Sequence, residues 1–148
     1  MLGIAWASGV DPGFLAKKEL FRAPFGGMLR AVGGIRVDRE NPGSLVSDLV
    51  ARASSGTPFA LVIAPEATRE RAAGWKSGFY RIAQDAHVPI VLGFLDGPTR
   101  RGGFGPTIEP SGDLAADMEI VRAFYTDKRG VVPDRASPVT LRAERIEQ

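Results

Sequence analysis

The stretch Pro58–Arg71, "PFALVIAPEATRER", decides how the chain is read. Its opening run, "PFALVIAP", is apolar without alternation, the pattern of a strand covered on both faces. Strands of that kind sit in parallel sheets whose crossovers are helices. The run stops in Pro65-Glu66, and Thr68, Arg69 and Arg71 follow at once. A buried strand that ends in an acid beside two cations places charge where parallel sheets bind ligands, beyond the carboxyl ends of their strands.

Working outward, the same alternation recurs. Upstream, "GFLAKK" (Gly13–Lys18) reads as a strand. "PFGGMLRAVGG" reads as a helix with Pro24 at its first position and Phe25, Met28, Leu29 and Val32 at helical spacing. "GIRVDR" reads as a short strand, and "NPGSLVSDLVARASSG" as a helix with Leu45, Val46, Leu49, Val50 and Ala53 on one face. Downstream, Phe79, Ile82, Ala83 and Ala86 mark a further helix and "VPIVLGFL" a second apolar strand. "DGPTRRGGFG" reads as a loop, with a short strand near "PTIEP". Asp113 is placed to cap a last helix bearing Leu114, Met118, Val121 and Tyr125. From Lys128 the composition turns polar and suggests an extended or mobile tail, residues 128–148, after a single domain over residues 1–127. Strand–helix alternation predicts an α/β fold, a largely parallel sheet flanked by helices.

Composition narrows the chemistry. The 148 residues carry a formal charge of +2, too small a bias to argue for nucleic acid. There is no cysteine, which excludes disulfides, thiolate zinc sites and thiol catalysis, and the single histidine, His87, excludes a histidine-rich metal site. No run approaches the roughly 20 apolar residues of a membrane-spanning helix, and "MLGIAWASGVDPG" lacks the basic start of a signal peptide. The expected setting is cytoplasmic, at or near a membrane surface.

Three expected strand ends each offer a cation: Lys18, Arg39 and Arg69, with Arg71 and Lys76 close to the last. Converging cations suit a phosphate, and arginine suits it best because its planar fork binds two oxygens. Glu66 among them is placed either to move a proton or to orient an arginine. The plainer alternative is a set of solvated charges, each paired with a neighbour. Trp75 reads as a cap on the core beside Phe79 rather than as a stacking platform. His87, just before "VPIV", lies at the strand edge away from the crevice and reads as a helix C-terminal residue.

With those residues in view, the chain resembles the glycerolipid acyltransferases, typified by 1-acylglycerol-3-phosphate acyltransferases. "KKELFRAPFGGMLRAVGGIRVDR" (Lys17–Arg39) resembles the family's second block, which ends in Gly-x-Ile-x-x-Asp-Arg. "APEATRER" resembles its third block, usually Pro-Glu-Gly-Thr-Arg, and "WKSGFYRIAQDAHVPIV" the helix and strand that follow. The resemblance implies a glycerol-3-phosphate acyltransferase-like fold. It implies that Arg39, Glu66, Thr68 and Arg69 form the pocket for the phosphate of a lysophospholipid. It further implies transfer of a fatty acyl group from an acyl thioester, acyl-CoA or acyl carrier protein, to a glycerol hydroxyl, with no metal or other cofactor, at a membrane surface.

Two departures stand out. The family's His-x-x-x-x-Asp, which supplies the general base and its orienting carboxylate, is absent; "MLGIAWASGVDPGF" resembles the helix after it. The expectation is a domain lacking its N-terminal catalytic block, through a truncated sequence or a mis-called start, with Leu2, Ile4 and Trp6 left without their packing partner. The alternative is a non-catalytic homologue that binds anionic lipid or phosphate. Second, Ala67 takes the place of the third-block glycine, which strains the backbone if that position needs a positive φ.

Overall fold

Three parallel strands carry the amino-terminal half: β1 (Pro12–Lys17), β2 (Gly34–Val37) and β3 (Ala60–Val62). Their order is β2-β1-β3, with Phe14 opposite Gly34 on one side and Val62 on the other. All three run the same way, so their carboxyl ends share one edge. The computed structural model describes residues 12–17, 27, 31, 33–37, 47–51, 60–68 and 70–142. The expected helix after Pro24 lies largely outside these residues; Gly27 and Ala31, the two described, are helical. Residues 47–51 are helical and bury Leu49 completely, on the face its spacing predicts.

The chain divides into two compact units, Leu2–Ile63 and Ala64–Gln148. In the second, α1 (Gly78–Ala86) leads into β4 (Ile90–Asp96), β5 (Arg101–Ile108) and α2 (Leu114–Tyr125). The Asp113 carboxylate accepts the Ala116 N–H at 3.0 Å, so the expected cap is formed. Met118 and Val121 are buried on the inward face of α2. They meet Trp75, Leu92, Ile108 and Leu141 in one core. Trp75 lies edge-on to Phe79 and Tyr125, at 6.2 and 5.5 Å between ring centres, so it is a core residue, as read.

Two expectations are corrected here. Among the described residues, "VPIVLGFL" does not join a parallel sheet: β4 pairs antiparallel with β5, and the architecture is mixed α/β with a small parallel sheet. The loop reading of "DGPTRRGGFG" fails with it, because most of that segment is strand. Its glycines serve packing. A Cβ on Gly105 would collide with the Phe124 ring, so the ring packs against a bare backbone. Pro106 is tolerated because, among the described residues, β5 pairs on one side only.

The segment after α2 is held rather than loose. Arg129 N–H donates to Asp96 Oδ1 at 2.8 Å, and the Arg129 carbonyl accepts from Gly97 N–H at 2.8 Å. A 3-10 turn, Pro133–Arg135, follows. Farther on, Trp75 N–H donates to Thr140 O at 2.8 Å and Arg142 N–H donates to Trp75 O at 3.0 Å. An extended or mobile tail was expected from residue 128; these hydrogen bonds tie down residues within 129–142, and residues 143–148 lie outside the described residues.

Candidate acceptor site

The chain leaves β3 directly into the turn at Ala64–Ala67. Ala67 N–H donates to Ala64 O at 3.1 Å, and Pro65 sits at the second position, where its fixed φ suits a turn. Ala67 has φ 55°, in the left-handed region. The turn therefore needs the conformation that glycine supplies without strain, and this chain bears it with a methyl group. The Pro65 carbonyl accepts Lys76 N–H at 2.9 Å, which ties the turn to the approach of α1.

Glu66 is half-buried, and its Oε1 accepts the backbone N–H of Ser137 at 3.1 Å. Ser137 is itself buried, and its Oγ accepts Ala72 N–H at 2.9 Å. Thr68 is exposed, and its Oγ1 accepts Glu70 N–H at 3.2 Å, a local bond that shapes the loop. Glu70 also faces Arg135 at 3.7 Å across exposed surface. Arg71 and Lys76 are exposed. Of the five residues expected to bind substrate, Glu66 and Thr68 share this loop; Lys18, Arg39 and Arg69 lie outside the described residues. Ser137 was not foreseen, since one serine seventy residues downstream announces nothing by spacing.

The order β2-β1-β3 reverses direction at β1, and sheets of this kind bind ligands outside the carboxyl ends at such a reversal. In sequence, Lys18 is the next residue after β1 and Arg39 is two residues beyond β2. His87 is elsewhere in role: it ends α1 as an exposed left-handed cap with φ 51°.

A second carboxylate cluster lies in the core. Asp117 accepts the Tyr80 hydroxyl at 2.7 Å, Ser111 N–H at 2.8 Å and Ser111 Oγ–H at 3.0 Å. Burial pushes its pKa up, but the donors from Tyr80 and Ser111 outweigh that and hold the carboxyl below its ordinary range. Burial, together with that same hydrogen bond, raises the Tyr80 phenol. Every group is satisfied within the cluster, which joins α1 to α2. Among the described residues, no set of three or more His, Asp or Glu side chains could hold a metal ion.

A sequence model of the acyltransferase family matches residues 1–91. The chain belongs to the acyltransferase family. The 1-acyl-sn-glycerol-3-phosphate acyltransferases of Limnanthes alba and Limnanthes douglasii are each 31% identical to it over 100 residues, covering 64% of this chain. The matched region spans 36% of the length of each relative. No solved structure matches. The turn at Ala64–Ala67 lies within the matched residues. Among the described residues, no helix is long and apolar enough to cross a membrane.

Proposed function

We propose that this domain holds a lysophospholipid such as 1-acylglycerol-3-phosphate by its phosphate. The free hydroxyl of that lipid would then receive a fatty acyl group from an acyl thioester, acyl-CoA or acyl carrier protein. The fold would be glycerol-3-phosphate acyltransferase-like, working at the membrane surface. The observation that carries this reading is the third block itself: Pro65-Glu66 closing a hydrogen-bonded turn at the end of a parallel strand, with Thr68 and Arg69 on the loop it opens. In this reading Lys18, Arg39 and Arg69 neutralise the phosphate, Thr68 offers a hydroxyl, and Glu66 fixes the loop. Holding the phosphate aligns the acceptor hydroxyl with the thioester carbon and removes much of the orientational barrier. The names of the Limnanthes relatives support the choice of acceptor.

One observation favours a second role for these 148 residues taken alone: binding without acylation. Their single histidine caps α1, and no His-x-x-x-x-Asp occurs in the sequence, so these residues lack the histidine–aspartate pair that would serve as general base for the hydroxyl. The test mixes the purified chain with an acyl thioester and 1-acylglycerol-3-phosphate, with and without a preceding segment that carries His-x-x-x-x-Asp. The expected result is product only with the segment. Turnover by the chain alone, lost in His87→Gly, would show that His87 is the base and overturn this assignment.

A further inference from the structure

The contacts of Ser137 bracket one interval of chain. Its N–H holds the Glu66 carboxylate at 3.1 Å and its Oγ holds the Ala72 N–H at 2.9 Å. Thr68 and Arg69 lie between those two anchors. A single buried residue therefore fixes both ends of the loop that bears them.

The segment that delivers Ser137 is stiff. Pro133 opens the 3-10 turn, Ala136 is extended with φ −67° and ψ 128°, and Pro138 follows Ser137. A residue before proline is confined to extended backbone, so little freedom is lost when Ser137 docks. Its register is fixed just beyond, where Trp75 pairs with Leu141 in a parallel bridge. Arg142 Nε also donates to Gly74 O at 3.1 Å. A Cβ at Gly74 would stand 2.6 Å from Thr140 O, so that close approach requires glycine.

We propose that Ser137 is a positioning residue for the acceptor loop, and that residues 133–142, outside the stretch matched by the family, complete the site by pinning Glu66–Ala72 from both ends. The functional half of this inference rests on the loop holding an acceptor phosphate. The chemistry is consistent with positioning. The clamp uses a neutral N–H on the carboxylate, so Glu66 is oriented without placing a competing cation against a bound phosphate.

The experiment uses the whole chain and two readouts, amide hydrogen exchange across Glu66–Ala72 and titration with 1-acylglycerol-3-phosphate. In the wild type, the Ser137 and Ala72 amides should exchange slowly together and slow further with ligand. Ser137→Ala keeps the N–H and loses the Oγ. It should speed Ala72 exchange on the order of tenfold and weaken ligand binding about fivefold, the scale of one hydrogen bond. Ser137→Thr, which keeps both groups, should restore both. A variant that is merely less stable would lower the unfolding midpoint and leave the affinity of the folded fraction unchanged; that result overturns the positioning role. Fast Ala72 exchange in the wild type overturns the clamp without recourse to any variant. Slow, concerted exchange in a wild type that takes up no ligand upholds the clamp and overturns its link to the acceptor, together with the function proposed for the loop.

Discussion

Asp117 and Glu66 are both carboxylates removed from full solvent exposure, and they sit in opposite circumstances. Asp117 is buried, takes three donors from Tyr80 and Ser111, and belongs to a closed cluster between two helices. Glu66 is half-buried, takes one backbone donor among the described residues, and stands on a turn whose next residue is in the left-handed region. A carboxylate with every partner inside a closed cluster stabilises the core; Glu66, on a strained turn at a strand end, instead anchors the loop that follows it. Burial or charge alone would have pointed to Asp117. Counting donors and locating strain points to Glu66.

Replacing each acid tests that contrast. Asp117→Ala leaves the Tyr80 hydroxyl and Ser111 N–H without their acceptor inside the protein, and should cost about 2–4 kcal/mol in denaturant unfolding. It should leave the affinity of the folded protein for 1-acylglycerol-3-phosphate unchanged. Glu66→Ala should cost only about 1 kcal/mol of stability yet weaken ligand binding measurably. Equal stability costs, or a binding defect confined to Asp117→Ala, would break the distinction.

The pH dependence has a definite sign. The Asp117 carboxyl is held below its ordinary range, so on acidification the unfolded chain takes up this proton first. The contribution is fully present above the unfolded pKa and is lost as pH falls through the lower folded value. In Asp117→Asn the acid limb of the stability curve should be shallower, below about pH 4. An identical acid limb in the two proteins would mean the cluster does not hold the charged form.

Strain gives smaller effects. Ala67→Gly removes the methyl group at φ 55° and should raise stability by about 0.5–1 kcal/mol after the added freedom of the unfolded chain. His87 is likewise left-handed at φ 51°. His87→Gly should change stability by no more than about 0.5 kcal/mol and leave ligand binding alone. The pair sharpens the comparison: relief of strain at 67 should also alter acceptor affinity, and relief at 87 should not.

Much of this was legible in the sequence. The helical spacing of Leu114, Met118, Val121 and Tyr125 fixed the inward face of α2, and the unbroken apolar run before Pro65 marked β3. A left-handed residue at Ala67 could be anticipated only as a condition, because the resembling block has glycine at that position. The β4–β5 pairing was hidden because Gly103, Gly105 and Pro106 read as loop until Phe94 and Phe124 are seen lying against the bare glycines. The Asp117 cluster was hidden because an acid on an apolar helix face gives no sign of partners thirty-seven residues away. Ser137 was hidden for the same reason, at greater separation, and because half of its clamp is backbone.

The central claim, that the loop after β3 belongs to a phosphate site, is tested most directly by one titration series. The whole chain and its Arg39→Ala variant are each titrated with 1-acylglycerol-3-phosphate and with the same monoacylglycerol lacking the phosphate. The account predicts saturable binding of the phosphorylated lipid by the wild type, weakened in Arg39→Ala by about 1–3 kcal/mol, the scale of a charge-assisted hydrogen bond. It predicts no difference between the two proteins toward the neutral lipid. Equal affinity of the wild type for both lipids would contradict it.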